Sequence, residues 1–308
     1  MKRSLILSSL IAMLALTAAA QNRPQMPQPP FPYQTEEVTF ANDEAGATFA
    51  GTLTVPADAK CVLLMVTGSG LQNRDEELLG HKPFAVIADR LARHGIATLR
   101  YDDRGFGESK GGELMMATTR DFADDAAAGI AWLRQTGRFQ QVGIIGHSEG
   151  GTIAFMLGGK GVVDFIVSLA GTTVSGDSIL LEQNQALYGE LAKDLTIDDI
   201  RNNPQIKQIP WYQFFLTYNP QDDITKITCP VMAVNGEKDV QVPADMNLNA
   251  LRRTLPADQR HLIKSYPDLN HLFQHCETGM LDEYEAIEET FSEEVISDIA
   301  AWIQSITN

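Results

Sequence analysis

Residues 142–151 read Val142-Gly143-Ile144-Ile145-Gly146-His147-Ser148-Glu149-Gly150-Gly151. The run 142–145 is short and apolar, as expected of a strand buried on both faces of a sheet. The residues after Gly151, to about Leu157, predict a helix. Between the two lies Gly146-His147-Ser148-Glu149-Gly150, a G-x-S-x-G pattern in the strand–turn–helix context that gives it meaning. The reason is geometric. The turn is tight, and Gly146 and Gly150 keep side chains from colliding around it. Ser148 is pushed above the sheet at a helix N-terminus. The Glu149 N–H then points toward any negative oxygen that forms beside Ser148. The alternative is a glycine-rich turn with an inert serine.

Working outward, the chain alternates strands and helices. Residues 37–40 and 48–55 predict an antiparallel pair. Residues 61–66 (CVLLMV) predict a buried strand ending at Gly68-Ser69-Gly70. A helix is expected at 83–94, a strand at 96–101, and a helix at 118–134 with Asp121, Asp124 and Asp125 near its start, where the helix dipole favours acids. Strands follow at 162–169, 231–234 and 261–266. Val295, Ile296, Ile299, Trp302 and Ile303 mark one face of a closing helix. The pattern predicts an α/β fold: a mainly parallel sheet of about eight strands with helices on both faces. One connection is far longer than usual αβ loops, the 58 residues from 171 to 228. Helices at 180–194 and 206–218, interrupted by Asn202-Asn203-Pro204, would make it a small helical cap. Its aromatics, Trp211 and Phe215 among them, either line a pocket or pack the insertion onto the body.

The 308 residues are 44% hydrophobic and 21% charged, values of a folded soluble chain rather than a disordered or polytopic membrane one. A net charge of −16 argues against nucleic-acid partners, because neutralising phosphates needs a basic surface. Cys61, Cys229 and Cys276 are too few for a disulfide scaffold and contain no CxxC pair, so no metal site is expected. They read as small hydrophobes, with at least one thiol left free.

Residues 1–20 have the layout of a secretory signal peptide. Lys2 and Arg3 are followed by an apolar run at 5–16 and small residues Ala18-Ala19-Ala20 before Gln21. The run is shorter than the ~20 residues that span a bilayer. The expectation is an exported protein, periplasmic or secreted, starting at Gln21, with no stable membrane insertion after cleavage. Residues 21–35, with five prolines, read as an extended linker. The folded domain is expected over 36–308.

From Glu36 onward the chain resembles the α/β-hydrolase superfamily. It looks most like bacterial serine carboxylesterases related to monoglyceride lipases and serine aminopeptidase-like hydrolases. The resemblance rests on Thr67-Gly68-Ser69-Gly70, Asp102-Asp103-Arg104-Gly105-Phe106-Gly107-Glu108-Ser109, Gly146-His147-Ser148-Glu149-Gly150-Gly151, Asn235-Gly236-Glu237-Lys238-Asp239 and Asn270-His271. It implies the α/β-hydrolase fold and a chain order of nucleophile, acid, base. Ser148 would be the nucleophile and His271 its base, with His275 as rival. Asp239 would orient the base, with Glu237, Asp245 and Asp268 as rivals. His147 should turn its ring away from Ser148. Beside the Glu149 N–H, a second oxyanion donor would come from Ser69, or alternatively Leu71. Relatives carry histidine where this chain has Thr67. Arg74-Asp75-Glu76 reads as a salt-bridge cluster of the loop, and Asp102-Asp103-Arg104 as structural.

The expected activity is hydrolysis of a small-molecule carboxylic ester through an acyl-enzyme, without metal or organic cofactor. A serine peptidase, a thioesterase or deacetylase of the same fold, and a noncatalytic binding protein are the alternatives. Oligomeric state is not legible.

Overall fold

The computed structural model describes residues 23–307. The expected signal peptide and the cleavage point before Gln21 lie outside the described residues. Nine strands form one sheet: β1 (Tyr33–Asn42), β2 (Ala47–Pro56), β3 (Cys61–Val66), β4 (Ala97–Tyr101), β5 (Lys110–Gly111), β6 (Gln141–His147), β7 (Ile166–Leu169), β8 (Val231–Gly236) and β9 (Leu262–Tyr266). Their order is β1-β2-β4-β3-β6-β7-β8-β9, with the two-residue β5 pairing with β2. The β1–β2 and β2–β4 pairs are antiparallel, and every pair from β4 to β9 is parallel.

Alternation along the central strands explains the layers, because successive side chains point to opposite faces. In β3, Val62, Leu64 and Val66 join one hydrophobic cluster, while Cys61, Leu63 and Met65 join the other. In β8, Val231 and Ala233 go one way, Met232 and Val234 the other. The first face is covered by α2 (Thr119–Gln135), α3 (Glu149–Gly159) and α8 (Ala244–Thr254). The second is covered by α1 (Pro83–Arg93) and α9 (Glu293–Thr307). The closing helix buries Val295, Ile296, Ile299, Trp302 and Ile303 there.

Some boundaries differ from expectation for visible reasons. The run expected as a strand at 162–169 pairs only from Ile166, where β8 starts opposite it at Val231. Before that, Asp164 accepts from the Val142 N–H and caps the start of the neighbouring strand. Strand β1 begins at Tyr33, so three residues of the stretch read as linker are sheet. The preceding residues are docked too. The Arg23 guanidinium donates to the carbonyls of Leu79, Glu285 and Ile287, and Gln25 bonds Thr290 and Phe291. Proline content favoured an extended chain but said nothing about these polar anchors.

The insertion between β7 and β8 contains α4 (Gly176–Tyr188), α5 (Ile197–Arg201), α6 (Pro210–Thr217), α7 (Gln221–Ile224) and two short 3₁₀ turns. The helix expected from 180 to 194 is set earlier, and it stops where Gly189 takes φ +48°. Leu180, Ala192, Leu195, Ile200, Ile206, Tyr212 and Leu216 give the insertion a hydrophobic cluster of its own. All three cysteines are free; Cys61 is buried, and burial pushes its thiol up to about 11, whereas Cys229 and Cys276 are partly exposed. Among the described residues, no helix is long and apolar enough to cross a membrane.

Candidate active site

Ser148 stands between β6 and α3 with φ +54° and ψ −113°. A side-chain-bearing residue rarely adopts a positive φ, and one held there by its surroundings is locally strained. Two glycines permit it. A Cβ on Gly146 would lie 2.0 Å from the Gly150 carbonyl oxygen, and one on Gly150 would lie 2.0 Å from that of Val66. The Ser148 N–H donates to the Leu169 carbonyl at 2.8 Å, which ties the turn to the end of β7. Ser148 is half-buried.

Asp239 follows β8 and His271 follows β9, so neighbouring parallel strands bring both to the same end of the sheet. His271 Nδ1 meets Asp239 Oδ2 at 2.7 Å. Both residues are buried. The other carboxylate oxygen, Oδ1, accepts the backbone N–H groups of Gln241 and Val242 at 2.8 and 2.9 Å. With one oxygen held by backbone, the other takes the imidazole N–H, which leaves Nε2 of His271 as the basic nitrogen.

The rivals are placed elsewhere. His275 is exposed and bonds Glu289 at 2.8 Å. Glu237 bonds the Ser265 hydroxyl at the surface. Asp268 pairs with Lys238 at 2.7 Å. Asp245 lies in the first turn of α8.

His147 is bonded through both ring nitrogens. Its Nδ1 meets Glu76 Oε1 at 3.0 Å and its Nε2 meets the His271 carbonyl at 2.9 Å. The two imidazole rings are 4.7 Å apart. Glu76 also accepts the Gly68 N–H at 2.7 Å. Glu76 thus leaves the loop cluster to which its sequence neighbours belong. Arg74 pairs with Asp102, Glu37 and Glu108, and Asp75 with Arg100 and Lys82, while Glu76 is buried with φ +53°. Burial opposes charge on the His147 ring, yet the Glu76 carboxylate beside it raises its pKa above that of ordinary imidazole.

Thr67, which stands in the histidine's place, donates its hydroxyl to Asp103. Burial pushes the Asp103 carboxyl well above its usual range. Arg104 forms a buried pair with Asp125 at 2.6 Å, so one of the three acids near the start of α2 serves that pair. In the loop after β3 the Gly68 N–H is taken by Glu76 and the Gln72 N–H by Asp103. Ser69 lies between them and is half-buried, whereas Leu71 is 38% exposed.

The insertion reaches this site through Trp211 as well as through Thr172, whose hydroxyl meets that of Thr152 at 2.9 Å. Trp211 Nε1 donates to Glu149 Oε1 at 2.7 Å. Burial raises the Glu149 carboxyl, against the hydrogen bond from Trp211. Phe215 stacks on Trp211 with centroids 5.1 Å apart and covers Gly176 within the insertion. No group of three or more His, Cys, Asp or Glu side chains suited to hold a metal ion occurs among the described residues.

The fold finds counterparts among known proteins. Residues 82–197 match the family model described as serine aminopeptidase, S33. That span includes Ser148 and ends before Asp239 and His271. The chain is 25% identical over 272 residues to Esterase EstD of Thermotoga maritima, covering 82% of this chain but only 65% of that relative's length. The Pyrococcus furiosus esterase Pf2001 superposes with a TM-score of 0.61 at 15% identity, over 94% of this chain and 98% of that one. Est1E from Butyrivibrio proteoclasticus, solved with ferulic acid, gives 0.59 at 18% identity over 87% and 98%. The α/β hydrolase GrgF from Penicillium sp. sh18 gives 0.61 at 19% over 88% and 98%. The protein has the α/β-hydrolase fold.

Proposed function

We propose that this protein is a serine hydrolase of small carboxylic esters, with Ser148 as nucleophile, His271 as base and Asp239 as the acid that orients it. The observation that carries the reading is the 2.7 Å His271–Asp239 contact at the sheet end where Ser148 sits on its strained turn. A serine hydroxyl is a weak nucleophile at neutral pH and needs such a base. Ser148 Oγ attacks the acyl carbonyl while His271 Nε2 takes its proton. The proton passes to the leaving alcohol as the tetrahedral adduct collapses to an acyl-enzyme. Water repeats the sequence and frees the acid. Asp239 holds the Nδ1–H tautomer and stabilises the imidazolium. The Glu149 N–H faces the developing oxyanion, and the half-buried Ser69 is favoured over exposed Leu71 as the second donor. Nothing in this sequence of steps calls on a cofactor or a metal.

The esterase relatives support the ester class, and the S33 description favours one second reading, cleavage of an amino-terminal peptide bond. Hydrolysis of p-nitrophenyl esters of increasing chain length, measured beside amino-acid anilides, separates them. Ester kcat/KM above anilide kcat/KM supports the first reading, and the reverse supports the second. A serine-directed fluorophosphonate that fails to label Ser148 would point instead to a noncatalytic binder. The same proposal places the protein outside the cytoplasm after removal of residues 1–20.

A further inference from the structure

We propose that Glu76 and His147 act as a positioning pair that holds the oxyanion loop and the base-bearing loop in register with Ser148. The inference rests on the serine hydrolase reading and deepens it, by naming two residues outside the proposed triad on which its rate depends.

The charge state follows from hydrogen-bond polarity. The His271 carbonyl can only accept, so His147 Nε2 carries a proton. Glu76 Oε1 already accepts the Gly68 N–H, so it faces His147 Nδ1 as an acceptor as well. Both ring nitrogens therefore donate, and the pair is a buried imidazolium and carboxylate. Such charge-assisted bonds are stronger and more directional than neutral ones. The other titratable groups around the pair are His271 and Asp239 on the base side and Asp103 under the oxyanion loop.

The links run Gly68 N–H to Glu76, Glu76 to His147, and His147 to the His271 backbone. Three separate segments meet there: the loop after β3, the turn that carries Ser148, and the loop after β9. Consuming the Gly68 N–H fixes the direction of the peptides that follow it, among them the Ser69 N–H. Holding the His271 carbonyl fixes the backbone from which the imidazole projects. Glu76 and His147 act through the residues they hold. A misplacement of about 1 Å in such a site can cost ~100-fold in rate.

The test uses the whole mature chain and a fluorophosphonate taken to completion, which counts competent serines, so that kcat is expressed per titrated site. Glu76→Gln keeps size and shape but removes the charge, and His147→Gln cuts the bridge from the other side. Each should lower kcat per titrated site ~10–100-fold with KM within about twofold. The double variant should lose about as much as either single one, because both break the same link. A single variant with wild-type kcat per titrated site, or losses that multiply in the double variant, overturns the proposal. Should Glu76→Gln not fold, His147→Gln carries the same comparison. Wild-type protein that neither labels nor hydrolyses esters would sink the hydrolase reading instead, which is a distinct result.

Discussion

The indole N–H of Trp211 donates to the carboxylate of Glu149, 62 residues away in sequence and next to Ser148, at 2.7 Å. The insertion is thereby anchored to the residue whose backbone N–H faces the proposed oxyanion. Glu149 is buried, so the bond is not easily replaced by water.

Trp211→Phe should keep the stack on Phe215 and lose only the donor. Leaving a buried acceptor unsatisfied costs ~1–3 kcal/mol. Urea unfolding should show a loss of that size. The ratio of activities on acetyl, butyryl and octanoyl esters should shift as the insertion moves. Unchanged stability together with unchanged ratios would mean that Trp211 neither anchors the insertion nor borders the acyl chain.

Ser148→Ala should abolish ester hydrolysis, with a loss of ~10⁴–10⁶ in kcat, while far-UV and near-UV circular dichroism stay unchanged. Retention of a tenth of wild-type activity would remove Ser148 as the nucleophile.

His271→Ala should be about as damaging as Ser148→Ala. His275→Ala should be mild, since His275 is exposed and paired with Glu289. Asp239→Asn should lose far more activity than Glu237→Gln, because only Asp239 touches the imidazole. Equal damage from both histidine variants, or a reversed order for the acids, would move the assignments.

His81 should make the fold acid-sensitive. It is fully buried, its Nε2 bonds the Tyr284 carbonyl and its Nδ1 the Thr290 hydroxyl. Burial lowers its pKa from 6.5 to about 4. The unfolded chain therefore binds this proton first. Stability is fully present above about pH 6.5 and falls as pH drops toward about 4, by ~3 kcal/mol at most. Urea midpoints between pH 7 and 4.5 should fall less steeply in His81→Gln than in wild type. Parallel pH profiles would assign the acid sensitivity to other groups.

Mass spectrometry of the exported protein should find a chain beginning at Gln21, which retains Arg23. Arg23→Ala should lower Tm, because three backbone carbonyls would lose their donor. An intact leader on membrane-bound protein would mean an anchor instead.

The parts of this molecule that were legible in sequence are those governed by local rules. The continuous apolar run at 61–66 marked a strand buried on both faces, and the glycines around Ser148 gave the turn. The contact between His271 and Asp239 is the one that motif order led us to expect. Glu76 was not legible. It follows Arg74 and Asp75, which form ion pairs of their own, and at a positive φ it is buried against partners 8 and 71 positions distant. Arg23 was hidden in the same way, because its carbonyl partners are backbone groups that no side-chain pattern encodes. The start of α4 was missed because Gly176 and Asp177 look like loop residues, yet Gly176 packs under Phe215 and Asp177 pairs with Arg201.

The insertion's separate apolar cluster has a consequence for how this scaffold can change. Residues such as Leu180, Ile200 and Tyr212 pack mainly with one another rather than into the two sheet clusters. Substitutions among them can reshape the insertion while the strands that carry Ser148, His271 and Asp239 stay as they are. Under the proposed function, substrate preference and chemical competence would then be inherited on different parts of the chain. The insertion is also tied to the body by Thr172 on Thr152, by Thr173 on Asn247, and by Ile224 and Ile227 within the first sheet cluster, so a transplanted insertion would have to reproduce those contacts as well as the Glu149 bond.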